Sequence, residues 1–322
     1  MAGYYANPVM AQKMLYRHHA EQETCQQAQA RAKENWMLKD VYDGENYQRL
    51  KSEGFMSDSR DILLSLSSDG AQLRKAATGD GWFILLINYN LAPELRYKND
   101  YMIVAGIIPG PKCPSVTLMS FFEPLIRELE KAQTEPGIRA YDAIRSEWFF
   151  FQVHLLHILG DMPGSDKMSG MFGHKGLYGC RFCRIRGVRY RDGTRFPHLP
   201  PSDDQSWTDL RPSDERIYSY KSNRLPMRNQ AQHLRDCAAI EAEAIGSPAQ
   251  KRARTASGVS VRFQFLRLKS IAYPWSLPLD VMHLFWSNHS LQMAEHFKVD
   301  IGQEAWASIE YIPPFSHTSD RR

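Results

Sequence analysis

Long hydrophobic runs are missing from this 322-residue chain: Phe149 to Leu159 falls well short of the roughly 18 apolar residues that a membrane-spanning helix needs. The opening Met1-Ala2-Gly3-Tyr4-Tyr5 lacks the basic-then-apolar pattern of a secretory signal, so secretion is not expected. Cysteine is scarce. Five residues, an odd number with one close pair, argue against a disulfide framework and for a reducing compartment. A surplus of one charge is also lacking, since a net charge of +4 is too small to establish a polyanionic partner by itself. The placement of the basic residues therefore matters more than their sum. What remains, 43% hydrophobic and 24% charged, is the composition of an ordinary soluble domain, long enough for one large core or a core with an appendage.

Residues 1–56 read as a polar helical N-terminal arm, with many Gln and Ala and only a weak helical period between Gln12 and Lys39. His18 and His19 are adjacent on that helix, so they point in different directions and read as surface residues rather than a metal pair. From Asp61 the texture changes. Ile62–Ser68, Trp82–Asn90 and Tyr101–Ile108 have the length of buried strands and stop at Asp69-Gly70, Leu91-Ala92-Pro93 and Pro109-Gly110-Pro111. Ser115–Ala132 follows as an amphipathic helix, with Leu118, Phe121, Phe122, Leu125, Ile126 and Leu129 on one face. Phe149–Leu159 is the fourth predicted strand, and it ends at Gly160-Asp161-Met162-Pro163.

Three strands able to pair as a meander, then a crossover helix and a fourth strand, predict an α/β fold with a mixed sheet. This β-β-β-α-β order is the opening of a ribonuclease-H-like fold, in which the first and fourth strands are neighbours. Asp69 and Asp161 would then meet at one end of the sheet. Two close carboxylates with a third acid suit two Mg²⁺ or Mn²⁺ ions acting on a phosphodiester. The plainer alternative is that both aspartates are turn residues, since Asp-Gly and Gly-Asp are common in turns.

Cys180-Arg181-Phe182-Cys183 is half of a zinc site. A thioredoxin-type redox pair would need a βαβ context that is lacking here, and a chance spacing is the other alternative. Two more ligands are required, and His283 and His289 are the best candidates, although a lone His in an apolar stretch is often a core residue. Arg184, Arg186, Arg189 and Arg191, with Tyr190 among them, form a candidate phosphate-contacting surface, and a solvated loop would look the same. Residues 196–260 read as a flexible basic insertion, in which Lys251, Arg252 and Arg254 could contact DNA or direct nuclear import. That leaves 57–195 as the first part of the core, including the Cys pair, and 261–322 as its return.

The motifs in order carry a resemblance. They are Ser67-Ser68-Asp69-Gly70, Ile87-Asn88-Tyr89-Asn90-Leu91-Ala92-Pro93-Glu94, Gly106-Ile107-Ile108-Pro109-Gly110-Pro111-Lys112, Gly160-Asp161-Met162-Pro163, Gly173-His174-Lys175-Gly176, Cys180-Arg181-Phe182-Cys183 and Leu277-Pro278-Leu279-Asp280-Val281-Met282-His283-Leu284. From about Tyr42 to Asn288 the chain resembles the transposases of CACTA (En/Spm-like) DNA transposons of the fungal type. The resemblance implies a DDE-type core of ribonuclease-H-like fold with an inserted segment and metal-dependent hydrolysis at transposon ends, followed by strand transfer. Asp69 and Asp161 would be the first two catalytic acids, and Glu304 is the favoured third. Cys180, Cys183, His283 and His289 would form a structural zinc site. Double-stranded DNA at transposon ends and target is the implied partner, with a nuclear location, no membrane and a possible homo-oligomer. Members usually continue well beyond this point, so 261–322 reads as a truncated part of the core. The alternative function is a catalytically defective or domesticated relative that binds DNA or proteins.

Overall fold

A computed structural model describes residues 1–30, 39–72, 80–110, 118–190, 193–196 and 224–280. Alternating and continuous apolar runs become strands β1 (Ile62–Gln72), β2 (Asp80–Asn88) and β3 (Ile103–Pro109). They pair antiparallel in sequence order, with Leu66 opposite Leu86 and Ile84 opposite Gly106. Helices α1 (Ala2–Ala6), α2 (Pro8–Lys13), α3 (Tyr16–Ala30) and α4 (Glu45–Ser52) precede the sheet, and the short α5 (Pro93–Arg96) follows β2. After β3 comes α6 (Leu118–Gln133), close to the predicted bounds. Its buried face is Leu118, Phe122, Ile126 and Leu129, while Phe121, predicted on that face, is exposed.

The predicted fourth strand is two strands. The hairpin β4 (Ile138–Asp142) and β5 (Glu147–Phe151) forms a separate ribbon, and β6 (Val153–Leu159) joins the main sheet. The break falls at Gln152, whose N–H donates to Asp61 Oδ1 at 2.8 Å while its carbonyl accepts from Ile62 N–H. β6 runs parallel to β1, which gives a mixed four-stranded sheet of order β3-β2-β1-β6. A parallel neighbour so far along the chain requires the crossover that α6 provides. β1 also differs from expectation. It does not stop at Asp69 but continues to Gln72, with Asp69 paired to Phe83 in mid-strand, so a turn role for Asp69 does not hold. β3, expected to be buried, is an edge strand that exposes Val104 and Ile107.

The sheet is covered on both faces. One layer joins Leu64, Leu66, Ile84, Leu86, Leu155 and Ile158 to α6 and to Phe263, Phe265, Leu268 and Tyr273 from the later chain. The other packs Leu63, Ile87, Tyr89 and Leu156 against Tyr42, Tyr47, Leu50 and Met56. The N-terminal residues, polar by composition, thus supply core: Tyr5, Ala11 and Met14 are buried in the first layer. Arg17 and Arg96, both inaccessible to solvent, hold this part in place. Arg17 donates to Asp58 O (2.7 Å) and to Glu21, and Arg96 donates to both carboxylate oxygens of Asp40 and to Leu91 O (3.0 Å). Met1–Pro278 forms one compact unit.

The later elements are α7 (Met162–Ser169), the short ribbon β7 (Val188–Tyr190) and β8 (Gly193–Arg195), α8 (Gln230–Glu241) and α9 (Pro248–Ser257). The described part of the expected basic insertion is therefore largely helical. α8, the chain beyond α9 and Met171 share a small core of Cys237, Ile240, Val259 and Met171.

Candidate functional site

The parallel ladder between β1 and β6 runs as far as Ser67 and Leu159. Two residues beyond each partner stand Asp69 and Asp161, so the register brings both carboxylate-bearing positions to the same level of the sheet. Asp69 is exposed, still in β1, and its Oδ1 accepts from the Gly70 N–H at 2.7 Å. Asp161 is half-buried and caps α7, its Oδ1 accepting the Gly164 N–H at 2.6 Å. The local sequence explains the cap: Asp at the N-cap and Pro in the first turn start a helix, and Gly170 at φ 71° ends it. Contact between the two halves is close. A Cβ on Gly160 would stand 3.2 Å from Ser68 O and 2.7 Å from Met168 Cε, so the end of β1 and α7 approach Gly160 closely. Across β1, Trp82 lies opposite Gly70, and the Lys167 ammonium of α7 sits 4.9 Å from its ring centre.

Asp166, on α7 and absent from the expectations, is buried, and burial pushes its carboxyl up to about 7 against the opposing pull of Arg181. Cys180 and Asp161 add to the rise, so Asp166 lies between the strand end and the Cys pair. No sequence signal marks it, because Gly164-Ser165-Asp166-Lys167 reads as an ordinary solvated helix turn.

The Cys180 thiol is lowered to about 5 by the hydrogen bond from Cys183, by the backbone N–H groups of Cys183 and Phe182, and by the Arg228 guanidinium, while burial opposes. The Cys183 thiol is raised by the same hydrogen bond and by burial. A turn whose N–H groups favour a thiolate is suited to a soft metal. Arg228 fixes the turn by donating to Cys180 O and Tyr178 O, both at 2.8 Å. Arg181 donates to Leu277 O (3.2 Å) and Pro278 O (2.9 Å), which ties the Cys loop to the later motif. His283, His289 and Glu304 lie outside the described residues. Among the described residues, no three His, Cys, Asp or Glu side chains are grouped to hold a metal ion.

The expected basic surface is only partly free. Arg184 is paired with Asp236 at 3.1 Å, and Arg186 also has a partner. Arg189 lies on β7 in a ribbon with β8, and Arg191 is outside the described residues. Lys251 and Arg252 are exposed on α9, whereas Arg254 is half-buried with its Nε unpartnered.

Residues 35–196, half of the chain, match the family model described as transposase family tnp2. The chain belongs to this transposase family. The matched span contains β1 to β8 together with Asp69, Asp161, Cys180 and Cys183. Among curated proteins, none matches the chain. Membership ties this tnp2-family chain to transposition, and so to DNA as its partner. No helix among its described residues is long and apolar enough to cross a membrane.

Proposed function

We propose that this tnp2-family chain is the catalytic core of a CACTA-type transposase: a ribonuclease-H-like, DDE-type nuclease that hydrolyses phosphodiesters at transposon ends and transfers the freed strand. The observation that carries this reading is the register of β1 and β6, which brings Asp69 and Asp161 to one level of the sheet from distant parts of the chain. The sheet order β3-β2-β1-β6 with a parallel β1/β6 pair agrees with a ribonuclease-H-like opening. Asp69 and Asp161 would hold Mg²⁺ or Mn²⁺, with Glu304 as third acid, and the ions would stabilise the attacking and leaving oxygens. The two aspartates are held differently. Asp69 is fixed by strand pairing, and Asp161 by its cap hydrogen bond, which leaves its second oxygen to turn towards a ligand. Cys180 and Cys183 would supply two ligands of a structural zinc site, with His283 and His289 as the proposed remainder. Double-stranded DNA is the substrate, the nucleus its location, and a homo-oligomer the working form.

A second reading is a catalytically defective or domesticated relative that binds DNA or proteins. The cap supports it, since Asp161 already has a structural task that needs no metal. An Asn at position 161 separates the two readings, because it caps a helix as well as Asp but carries no charge. On transposon-end duplex with Mn²⁺, Asp69→Asn, Asp161→Asn and Glu304→Gln are each expected to lower nicking roughly 100-fold or more with unchanged thermal stability. Nicking that is absent from the wild type, or indifferent to all three changes, would support the binding-module reading instead.

A further inference from the structure

One surface cleft is unexplained by the acids and the Cys pair. It has a volume of about 430 Å³ and is lined by Glu45, Asn46 and Arg49 of α4 and by Ala272 and Trp275. Trp275 is 54% exposed, which is unusual for the largest apolar side chain in a segment whose neighbours Tyr273 and Leu277 are buried. Its ring lies 6.1 Å from that of Phe182, inclined at 38°, so the two form a broad aromatic platform. Of the polar lining, Arg49 is held by Glu53 Oε2 (2.6 Å) and Ser270 O (2.7 Å), whereas Asn46 is loosely engaged. Asn46 Nδ2 makes contacts of 3.4 Å to Leu156 O and to Ser276 Oγ, and Asn46 Oδ1 lies 3.5 Å from Arg49 Nη2. All three sit at the outer limit of hydrogen bonding and are weak enough to be exchanged. Arg49 Nε is buried with no hydrogen-bond partner.

From this combination we infer that the cleft receives a single unstacked nucleobase of bound DNA. The inference rests on the DNA-binding reading above and deepens it. A planar aromatic wall takes the face of any base, and a carboxamide with both donor and acceptor can meet a base edge. An intact duplex hides its base faces, so only an extrahelical or single-stranded base fits such a wall. Position supports the assignment. Ser276, next to Trp275, accepts the Ile158 N–H at 2.8 Å, which clamps the platform to β6 three residues before Asp161. A base held there would lie beside the strand that delivers the second acid. An aliphatic ligand would leave the Asn46 carboxamide unmatched, which disfavours it.

The test compares binding of the full chain to two DNA probes by fluorescence anisotropy: a perfect duplex, and the same duplex carrying one bulged 2-aminopurine. The wild type is expected to prefer the bulged probe, and to quench the 2-aminopurine emission on binding. Trp275→Ala should lose roughly 5- to 150-fold of affinity for the bulged probe, the worth of one base stack, and bind the perfect duplex as before. Trp275→Phe should restore most of the preference. Because Trp275 is exposed, the substitutions should leave thermal unfolding unchanged. A wild type that binds both probes equally, or a Trp275→Ala variant that keeps the preference, would overturn the inference and leave DNA binding standing. Failure to bind either probe would overturn the DNA-binding reading and this inference with it.

Discussion

At the scale of single residues, two asparagines of one sequence motif are buried. Asn88, at the end of β2, and Asn90, just after it, are inaccessible to solvent. Asn90 accepts from Leu63 N–H (2.9 Å) and donates to Asp61 O (2.8 Å), locking the start of β1 to the end of β2. The motif was legible, but its role was not, because the partners lie far away in sequence. His154 is a further case. It is fully buried on β6, neither ring nitrogen has a partner, and burial, aided by Arg17, pushes its imidazole down to about 4. Its effect on stability has a definite sign. The unfolded chain takes up a proton below the ordinary value of about 6.5, which the folded chain refuses until about 4. Stability is therefore full above that ordinary value and is lost as the pH falls towards the folded one, at about 1.4 kcal/mol per unit. In urea titrations at pH 7 and pH 5, His154→Leu should lose about 2 kcal/mol less than the wild type. Equal losses would mean that the imidazole finds a partner. His233, also buried and lowered to about 4, acts in both proteins and cancels from the difference.

Among the elements, those with a clean period were readable: β2 and α6 fall close to where apolar spacing puts them, and β1 starts there but runs on past Asp69. The break at Gln152 was not, because Phe149 to Leu159 contains no Gly, Pro or Asn and the chain is bent by Asp61 from before β1. The N-terminal helices misled for a related reason. Their buried residues include Arg17, a type that composition assigns to the surface; Glu21 neutralises it locally, but the Tyr47 hydroxyl and Asp58 carbonyl that bury it are distant in sequence. α7 offers a sharp test, since both its ends are specified. Gly170 has φ 71°, and a Cβ there would run into Val261 O. Gly170→Ala should therefore cost at least about 1–2 kcal/mol, visible as a lower Tm. At the other end, Asp161→Ala should cost about 1 kcal/mol and Asp161→Asn almost nothing.

For the molecule as a whole, buried ion pairs join regions that composition suggested were separate. Arg96, just after β2, holds Asp40 in the segment before α4, and both side chains are largely buried. Arg60 reaches Asp58, Asp142 and Glu147 and stacks over Phe149 at 3.9 Å, fastening the β4/β5 hairpin to the entrance of β1. Removing one partner strands a buried charge. Arg96→Ala should therefore lower unfolding free energy by about 3–5 kcal/mol in urea, far more than loss of an exposed pair such as Arg49–Glu53. A cost below about 1 kcal/mol would show that the N-terminal segment is not coupled to the sheet.

The parallel pairing of β1 with β6 also has a consequence for the making of the protein. β1 can form its hairpin with β2 once Asn88 has left the ribosome, but its other edge must wait for Leu159. The 71 residues between those two points take about 4–14 s to translate at ordinary elongation rates. Throughout that interval a strand bearing Leu63, Leu64 and Leu66 presents an unpaired edge to its surroundings. The nascent chain is thus open to strand-to-strand capture by its neighbours on a polysome, and its yield should depend on chaperones that reach it before residue 159 emerges.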